Sequence, residues 1–274
     1  MTLRSIVAAA LAEDIGRGDI TSEATIPSTA RSTGRLVARQ KAIVAGLDVA
    51  REVSRQVRAA WRARAKDGDA VRPGQVVAEM RGRTRAILTG ERVALNFIQR
   101  LSGTATLARA FVDAVRGTGA KILDTRKTTP GLRLLEKAAV RAGGGTNHRL
   151  GLHDAALIKD NHIAASDSVT AAVKELRRRR GARFRIEIEA QSRAQALAFA
   201  ELDVDVLMLD NMSVAAMRRL VPELRAIRPK LLIEASGGVT LKTVRAIAKT
   251  GVDWISVGAL THSAPAVDFS LDLA

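Results

Sequence analysis

Val206-Leu207-Met208-Leu209-Asp210-Asn211 is a short apolar run that stops on two polar residues, and its form recurs through the second two-thirds of the chain. Upstream, Ile186-Glu187-Ile188 runs into Glu189, Ala156-Leu157-Ile158 into Lys159-Asp160-Asn161-His162, and Ile122-Leu123 into Asp124-Thr125-Arg126-Lys127. Downstream, Leu231-Leu232-Ile233 runs into Glu234-Ala235-Ser236-Gly237-Gly238, and Trp254-Ile255-Ser256-Val257 into Gly258. The runs start roughly two to three dozen residues apart, with helix-like spacing between them. This is the pattern of parallel strands alternating with helices. A weaker strand over 144–150 brings the count to about seven, one short of a closed eight-stranded barrel, so an open or atypical α/β barrel is expected. In such barrels the side chains at the carboxyl ends of the strands line the site. Arg126, Lys127, Lys159, Glu189, Asp210 and two glycine turns therefore stand out before any function is considered.

Residues 1–103 read differently. A helix over Leu3–Glu13 leads to the turn Gly16-Arg17-Gly18-Asp19, strands are predicted over Thr33–Arg39 and Ile43–Gly46, and a helix over Leu47–Val57. From Thr84 a long helix shows apolar residues at helical period: Ile87, Leu88, Val93, Ala94, Phe97, Ile98 and Leu101. The expectation is a small α/β sandwich domain over 1–103 and a barrel over 104–264. The tail, 265–274, is too short for another βα unit and is expected to fold back on the first domain.

A length of 274 residues suits one barrel-sized domain or two smaller ones, and a hydrophobic fraction of 47% is enough for a real core. There is no cysteine, which excludes disulfides and thiolate metal sites. No run approaches the ~20 apolar residues of a membrane span. The apolar stretch Ile6–Ala12 passes straight into Glu13-Asp14, as an amphipathic helix does and a signal peptide does not. A cytoplasmic protein that engages no membrane is expected. The net charge of +16 has two readings, an anionic partner or coding bias toward arginine. Arg177-Arg178-Arg179-Arg180 is read as a solvated helix end complementing the helix dipole. With aromatics at 3%, base-stacking platforms are scarce, and nucleic acid is not an expected partner.

At the strand ends Arg126, Lys127, Arg149 and Lys159 would converge, with His148 beside them. Such a cation cluster is unfavourable when empty and makes sense for a ligand with several negative charges. Arginine suits bidentate recognition of carboxylate or phosphate, and lysine acts as a compact point charge. Glu189 and Asp210 end the next two strands. They can hold Mg²⁺, accept hydrogen bonds from sugar hydroxyls, or simply pair with the cations. Ser236-Gly237-Gly238 and Gly258 close the last two strands, where backbone N–H groups can cradle a phosphate. Gly143-Gly144-Gly145 is not a phosphate-binding loop of the Gly-Lys-Ser/Thr kind. Zinc-ligand spacing and a nucleophile elbow are both absent. The residues by themselves describe a site for a phosphorylated sugar and a second, carboxylated ligand, with hydrolysis, isomerisation and group transfer all open.

At these residues the chain resembles the quinolinate phosphoribosyltransferase family. The matching stretches run in order along nearly the whole chain, from Leu11-Ala12-Glu13-Asp14 through Gly90-Glu91-Arg92-Val93-Ala94-Leu95-Asn96 and Leu101-Ser102-Gly103 to Leu123-Asp124-Thr125-Arg126-Lys127-Thr128-Thr129-Pro130-Gly131. They continue with Gly143-Gly144-Gly145-Thr146-Asn147-His148-Arg149, Leu157-Ile158-Lys159-Asp160-Asn161-His162, Leu209-Asp210-Asn211, Ser236-Gly237-Gly238 and Val257-Gly258-Ala259-Leu260-Thr261-His262. The resemblance implies decarboxylating transfer of a phosphoribosyl group from phosphoribosyl pyrophosphate to quinolinate, with Mg²⁺, in NAD biosynthesis. It implies a small open-faced α/β sandwich plus an incomplete barrel, in a homodimer or an assembly of dimers. Arg126, His148, Arg149 and Lys159 would hold quinolinate, and Arg92 would reach in from the neighbouring subunit. Thr125 would bind substrate, Lys127 would meet the phosphoribosyl donor, and Glu189 and Asp210 would bind its hydroxyls or Mg²⁺. Ser236, Gly237, Gly238 and Val257-Gly258-Ala259 would hold its 5′-phosphate. Lys127, Lys159, Glu189 and Asp210 are the residues expected to carry catalysis.

Three alternatives remain beside this reading. A molybdenum-associated relative would share the glycine turns, but the Asn147-His148-Arg149 and Lys159-to-His162 stretches favour the quinolinate enzyme. A nicotinate transferase handles one carboxylate and needs fewer cations. A nucleic-acid-binding protein suits the charge but leaves the ordered strand ends unexplained.

Overall fold

The computed structural model describes residues 2–166 and 168–274. In chain order the elements begin with α1 (Leu3–Ile15), α2 (Ile20–Thr25), β1 (Arg31–Ala38), β2 (Ala42–Ile43), α3 (Leu47–Gln56), β3 (Ala60–Ala63), β4 (Ala70–Val71), β5 (Val76–Arg83) and α4 (Thr84–Ala114). Next come β6 (Lys121–Leu123), α5 (Arg133–Ala142), β7 (Ala156–Ile158), α6 (Asp160–Ala164), α7 (Val169–Arg180), β8 (Ile186–Ala190) and α8 (Arg193–Ala200). The chain continues with β9 (Val206–Asp210), α9 (Val214–Ile227), β10 (Leu232–Ser236), α10 (Val244–Ala248), β11 (Trp254–Ser256), α11 (Ala259–His262) and β12 (Phe269–Leu273). They form two compact units. One comprises the chain up to Arg109 with Thr128–Gly144 and Leu260–Ala274, and the other Ala110–Lys127 with Gly145–Ala259.

The first unit is an open-faced α/β sandwich on an antiparallel sheet of order β12-β1-β5-β3. The tail supplies the edge strand, with Leu271 opposite Leu36. Leu36, Ala38, Val53, Val77, Ala78, Ala94 and Ile98 meet in one core drawn from sheet, α3 and α4. Thr2 caps α1 and Asp19 caps α2, each accepting a backbone N–H of the first turn. The Arg17-Gly18-Asp19 triplet is thus a helix entry. The tail passes α4 so closely that a Cβ on Gly103 would lie 2.1 Å from the Pro265 carbonyl oxygen, and only glycine admits the crossing.

The second unit is the incomplete α/β barrel. Its sheet is parallel throughout, in the order β6-β11-β10-β9-β8-β7. Six strands form where about seven were expected. The segment over 144–150 contributes a single bridge, Thr146 to Leu123. Three consecutive glycines precede it, and glycine has neither the side chain nor the restricted backbone that favours a strand.

Two carboxylates secure the amino-terminal edge of this sheet in the same way. Asp205, just before β9, accepts the Ile186 N–H of β8 at 2.7 Å and the Arg177 guanidinium of α7 at 2.8 Å. Asp253, just before β11, accepts the Ile233 N–H of β10 at 2.7 Å and the Arg225 guanidinium of α9 at 2.6 Å. Each ties a strand start to the helix that precedes it. Arg177 is therefore a lock with only 12% of its side chain exposed, unlike the solvated helix end read from sequence. Arg178 and Arg179 are exposed and pair with Glu175.

Candidate active site

Strand register decides which side chains share the site face. Glu187 and Glu189 are two apart on β8 and stand opposite Val206 and Met208 of β9. Glu234 stands opposite Met208, and Ser236 opposite Asp210. Side chains alternate along a strand, so Glu187, Glu189, Met208, Asp210, Glu234 and Ser236 project from one face while Ile188, Leu207, Leu209 and Ile233 pack on the other.

The segment before β7 is held from below. Asp124, fully buried just after β6, accepts the His148 backbone N–H at 2.9 Å and the Asn147 side-chain amide. The His148 Nε2 lies 3.0 Å from Glu187 Oε2 and 3.4 Å from Glu234 Oε2, with both glutamates inaccessible to solvent. Burial by itself would lower the His148 pKa, but the two carboxylates outweigh it and hold it up at about 9. Burial, and Glu234 beside it, raise Glu187. These three residues bring their ligand atoms within 4.8 Å of one another. The His148 Nδ1 accepts the Arg149 backbone N–H at 2.8 Å, so the ring turns its Nε2 toward the two carboxylates.

Arg149 is buried and donates to the Ala155 carbonyl at 3.0 Å. Burial lowers its pKa, and the charge of Arg126 adds to the effect, which puts two guanidinium charges in electrostatic contact. Lys159 ends β7, and its Nζ lies 3.5 Å from Glu189 Oε2. Burial raises the Glu189 carboxyl, the Lys159 charge opposes this, and Asp210 and Asp160 add to it. Two hard carboxylates whose like charges disfavour each other suit a divalent cation such as Mg²⁺, so the donor set at Glu189 and Asp210 fits one.

The loops after β9 and β10 interlock. The Asn211 N–H donates to the Ser236 carbonyl at 2.9 Å, and its side-chain amide donates to Asp210 at 2.8 Å. Gly237 sits beneath it with φ +91°, and Gly238 follows with φ +59°. Val257, after β11, donates its N–H to the Leu123 carbonyl at 2.9 Å and brings the Gly258 turn beside the end of β6. Thr125 accepts the Lys127 N–H at 3.0 Å, and the chain turns there so that both side chains are not forced to opposite faces.

The structure thus gathers Thr125, Arg126, Lys127, His148, Arg149, Lys159, Glu189, Asp210, Ser236, Gly237, Gly238, Val257, Gly258 and Ala259 at the carboxyl ends of one sheet or in the loops that leave it. Arg92 belongs to the first unit and is exposed on α4. Sequence reasoning passed over Asp124, Glu187, Asn211 and Glu234. A charge inside an apolar strand, as in Ile186-Glu187-Ile188 and Ile233-Glu234-Ala235, is the signal that marks the two glutamates.

Comparison with known proteins follows this geometry. Residues 19–102 match the N-terminal domain, and residues 104–272 the C-terminal domain, of quinolinate phosphoribosyl transferase. The nicotinate-nucleotide pyrophosphorylase [carboxylating] of Mycobacterium leprae is 44% identical, covering 98% of this chain and 96% of that one. The probable enzyme of the same name from Bacillus subtilis is 42% identical over 95% of this chain and 90% of its own. The crystal structure of nicotinate-nucleotide pyrophosphorylase from Ehrlichia chaffeensis superposes with a TM-score of 0.93 at 38% identity, covering 100% of this chain and 99% of that one. Sandwich, incomplete barrel and strand-end cations define a phosphoribosyl-transferring enzyme. The chain belongs to the quinolinate phosphoribosyl transferase family, and it is a pentosyltransferase of NAD biosynthesis.

Proposed function

We propose that the strand-end residues of this chain divide the family reaction among themselves as follows, with Mg²⁺, in a cytoplasmic homodimer or assembly of dimers. Arg126, His148, Arg149 and Lys159 hold the two carboxylates of quinolinate. Thr125 binds substrate and Lys127 meets phosphoribosyl pyrophosphate, while Ser236, Gly237, Gly238 and the Val257-Gly258-Ala259 turn hold its 5′-phosphate. Glu189 and Asp210 take the ribose hydroxyls or Mg²⁺. When bound, the ion neutralises charge on the pyrophosphate. Arg92 completes the quinolinate pocket of the neighbouring subunit, a reading supported by its exposure on α4.

The products are nicotinate mononucleotide, pyrophosphate and CO₂. The bond from the anomeric carbon to the pyrophosphate oxygen breaks, and its electron pair leaves with pyrophosphate. The quinolinate ring nitrogen supplies the pair for the new N–C bond. The carboxylate beside that nitrogen then leaves as CO₂, and the ring carbon takes a proton. No side-chain nucleophile takes part, so the chain contributes positioning and electrostatics. Lys127, Lys159, Glu189 and Asp210 face the changing charges.

One observation carries this assignment. The His148 N–H bond to Asp124 at 2.9 Å brings buried Arg149 beside the Arg126-Lys127 loop, a gathering of cations whose cost a dianionic ligand offsets. No helix among the described residues is long and apolar enough to cross a membrane. The test is quinolinate consumption and CO₂ release with and without phosphoribosyl pyrophosphate and Mg²⁺. Turnover requiring all three is expected; turnover of nicotinate with quinolinate ignored would reject the two-carboxylate reading.

A further inference from the structure

Glu187 and Glu234 flank His148, and Glu187 also acts electrostatically on Arg149. Both are inaccessible to solvent, and they lie on strands separated by β9. Their opposite numbers on β9 are the apolar Val206 and Met208. Apolar side chains there would satisfy the core better, since a buried carboxylate loses its hydration and is offset only by a well-placed partner. The partner is the His148 Nε2, flanked at 3.0 and 3.4 Å. Asp124 holds the His148 backbone on the same segment, and the Arg149 guanidinium is anchored on Ala155. Three independent attachments therefore converge on two adjacent residues of the cation cluster.

We propose that Glu187 and Glu234 are positioning residues: a buried carboxylate pair that flanks the His148 ring at its Nε2 and thereby fixes the His148-Arg149 step for the dicarboxylate substrate. The proposal rests on the reading that His148 and Arg149 face quinolinate. The pair supplies carboxylate oxygens beneath a group of cations, so the cluster stays assembled before the substrate arrives. Glu187 is the nearer of the two and carries the larger share. The phosphoribosyl donor, held by the glycine turns, does not depend on the clamp.

Glu187→Gln and Glu234→Gln keep shape and remove charge, and circular dichroism with thermal unfolding establishes that each variant is folded before its kinetics are read. Each is expected to raise KM for quinolinate, by roughly 10- to 100-fold, the span of one charge-assisted hydrogen bond, with Glu187→Gln the more affected. KM for phosphoribosyl pyrophosphate stays within about twofold of wild type, well inside that span. In the His148→Gln background either substitution adds little, because the carboxylates act through that ring. Losses that add fully in the double variants, or KM values that rise equally for both substrates, would overturn the clamp. If Glu187→Gln or Glu234→Gln is folded with an unchanged KM for quinolinate while His148→Gln is impaired, the clamp is wrong and the site assignment stands. If His148→Gln itself binds quinolinate normally, the placement of His148 at the substrate fails, and the clamp with it. Glu187→Asp, which restores the charge on a shorter side chain, is expected to recover part of the quinolinate affinity lost in Glu187→Gln; no recovery counts against the clamp.

Discussion

Asn211 lies directly over Gly237: a Cβ at position 237 would sit 2.1 Å from the Asn211 Oδ1 and 3.0 Å from its backbone nitrogen. The contact joins the loops after β9 and β10, and both residues have positive φ, +54° at Asn211 and +91° at Gly237. Gly238 also has positive φ, but a Cβ there meets nothing within 4 Å. Gly238→Ala is therefore expected to cost about 1–2 kcal/mol of backbone strain. Gly237→Ala carries that strain and the clash, so it loses more stability and raises KM for phosphoribosyl pyrophosphate. Thermal unfolding of the two variants side by side checks this, and equal losses would show that the Asn211 contact is easily displaced.

Glu189 gives the activity an acid limb. Its carboxyl is raised by burial and by the charges of Asp210 and Asp160, so it takes up a proton at a higher pH than an ordinary carboxylate. Activity that needs the ionised form should begin to fall, as pH is lowered, above the usual carboxylate range. The stability linkage has the opposite sense: the raised group favours the folded state fully below its unfolded pKa, and that contribution is lost as pH rises through the folded value. Asp160→Asn removes one of the charges holding Glu189 up. The acid limb of kcat/KM should move to lower pH in that variant, and a limb that stays in place would assign the titration to another group.

Asp205 and Asp253 are expected to be structural. Replacing Asp253 by Ala strands the Ile233 N–H and removes the ion pair of Arg225, which keeps its bonds to the Leu231 and Gly251 carbonyls, a loss of about 1–3 kcal/mol. Asp205→Ala strands the Ile186 N–H, but Arg177 keeps its pair with Asp203, so the loss should be the smaller of the two. Both lie at the amino-terminal edge of the sheet, away from the strand ends that form the site, so KM values of the folded fraction should match wild type. Urea unfolding with parallel kinetics distinguishes the two effects; a changed KM for either substrate would contradict a purely structural role.

Arg92 is expected to act in trans. Arg92→Ala and Lys159→Ala are each predicted to be inactive, the first lacking the residue donated to a neighbour and the second lacking a strand-end cation. Mixed and allowed to exchange subunits, they should recover part of the activity, since one site of each heterodimer regains both wild-type residues. A mixture that stays inactive after exchange has been demonstrated, with both variants folded, would remove Arg92 from the neighbour's site.

The alternation of strand and helix was legible in the sequence because apolar runs of two to four residues, interrupted by amphipathic stretches, have few other ways to bury themselves. The identity of most strand-end residues follows from the same periodicity, since a run that stops being apolar marks where the chain leaves the core. Lys159, Glu189 and Asp210 are found in this way without any knowledge of which strands are neighbours. The sheet order β6-β11-β10-β9-β8-β7 and its register were not legible, because pairing depends on contacts between residues far apart in the chain. Only that order brings Glu187 and Glu234 onto one face, on either side of β9, where a single imidazole can meet both. Only it, likewise, turns Arg177 from an exposed helix end into the partner of Asp205. The site's inventory is a property of local pattern, whereas the charges that hold His148 and the glycine that admits Asn211 are set by distances across strands, which no local pattern encodes.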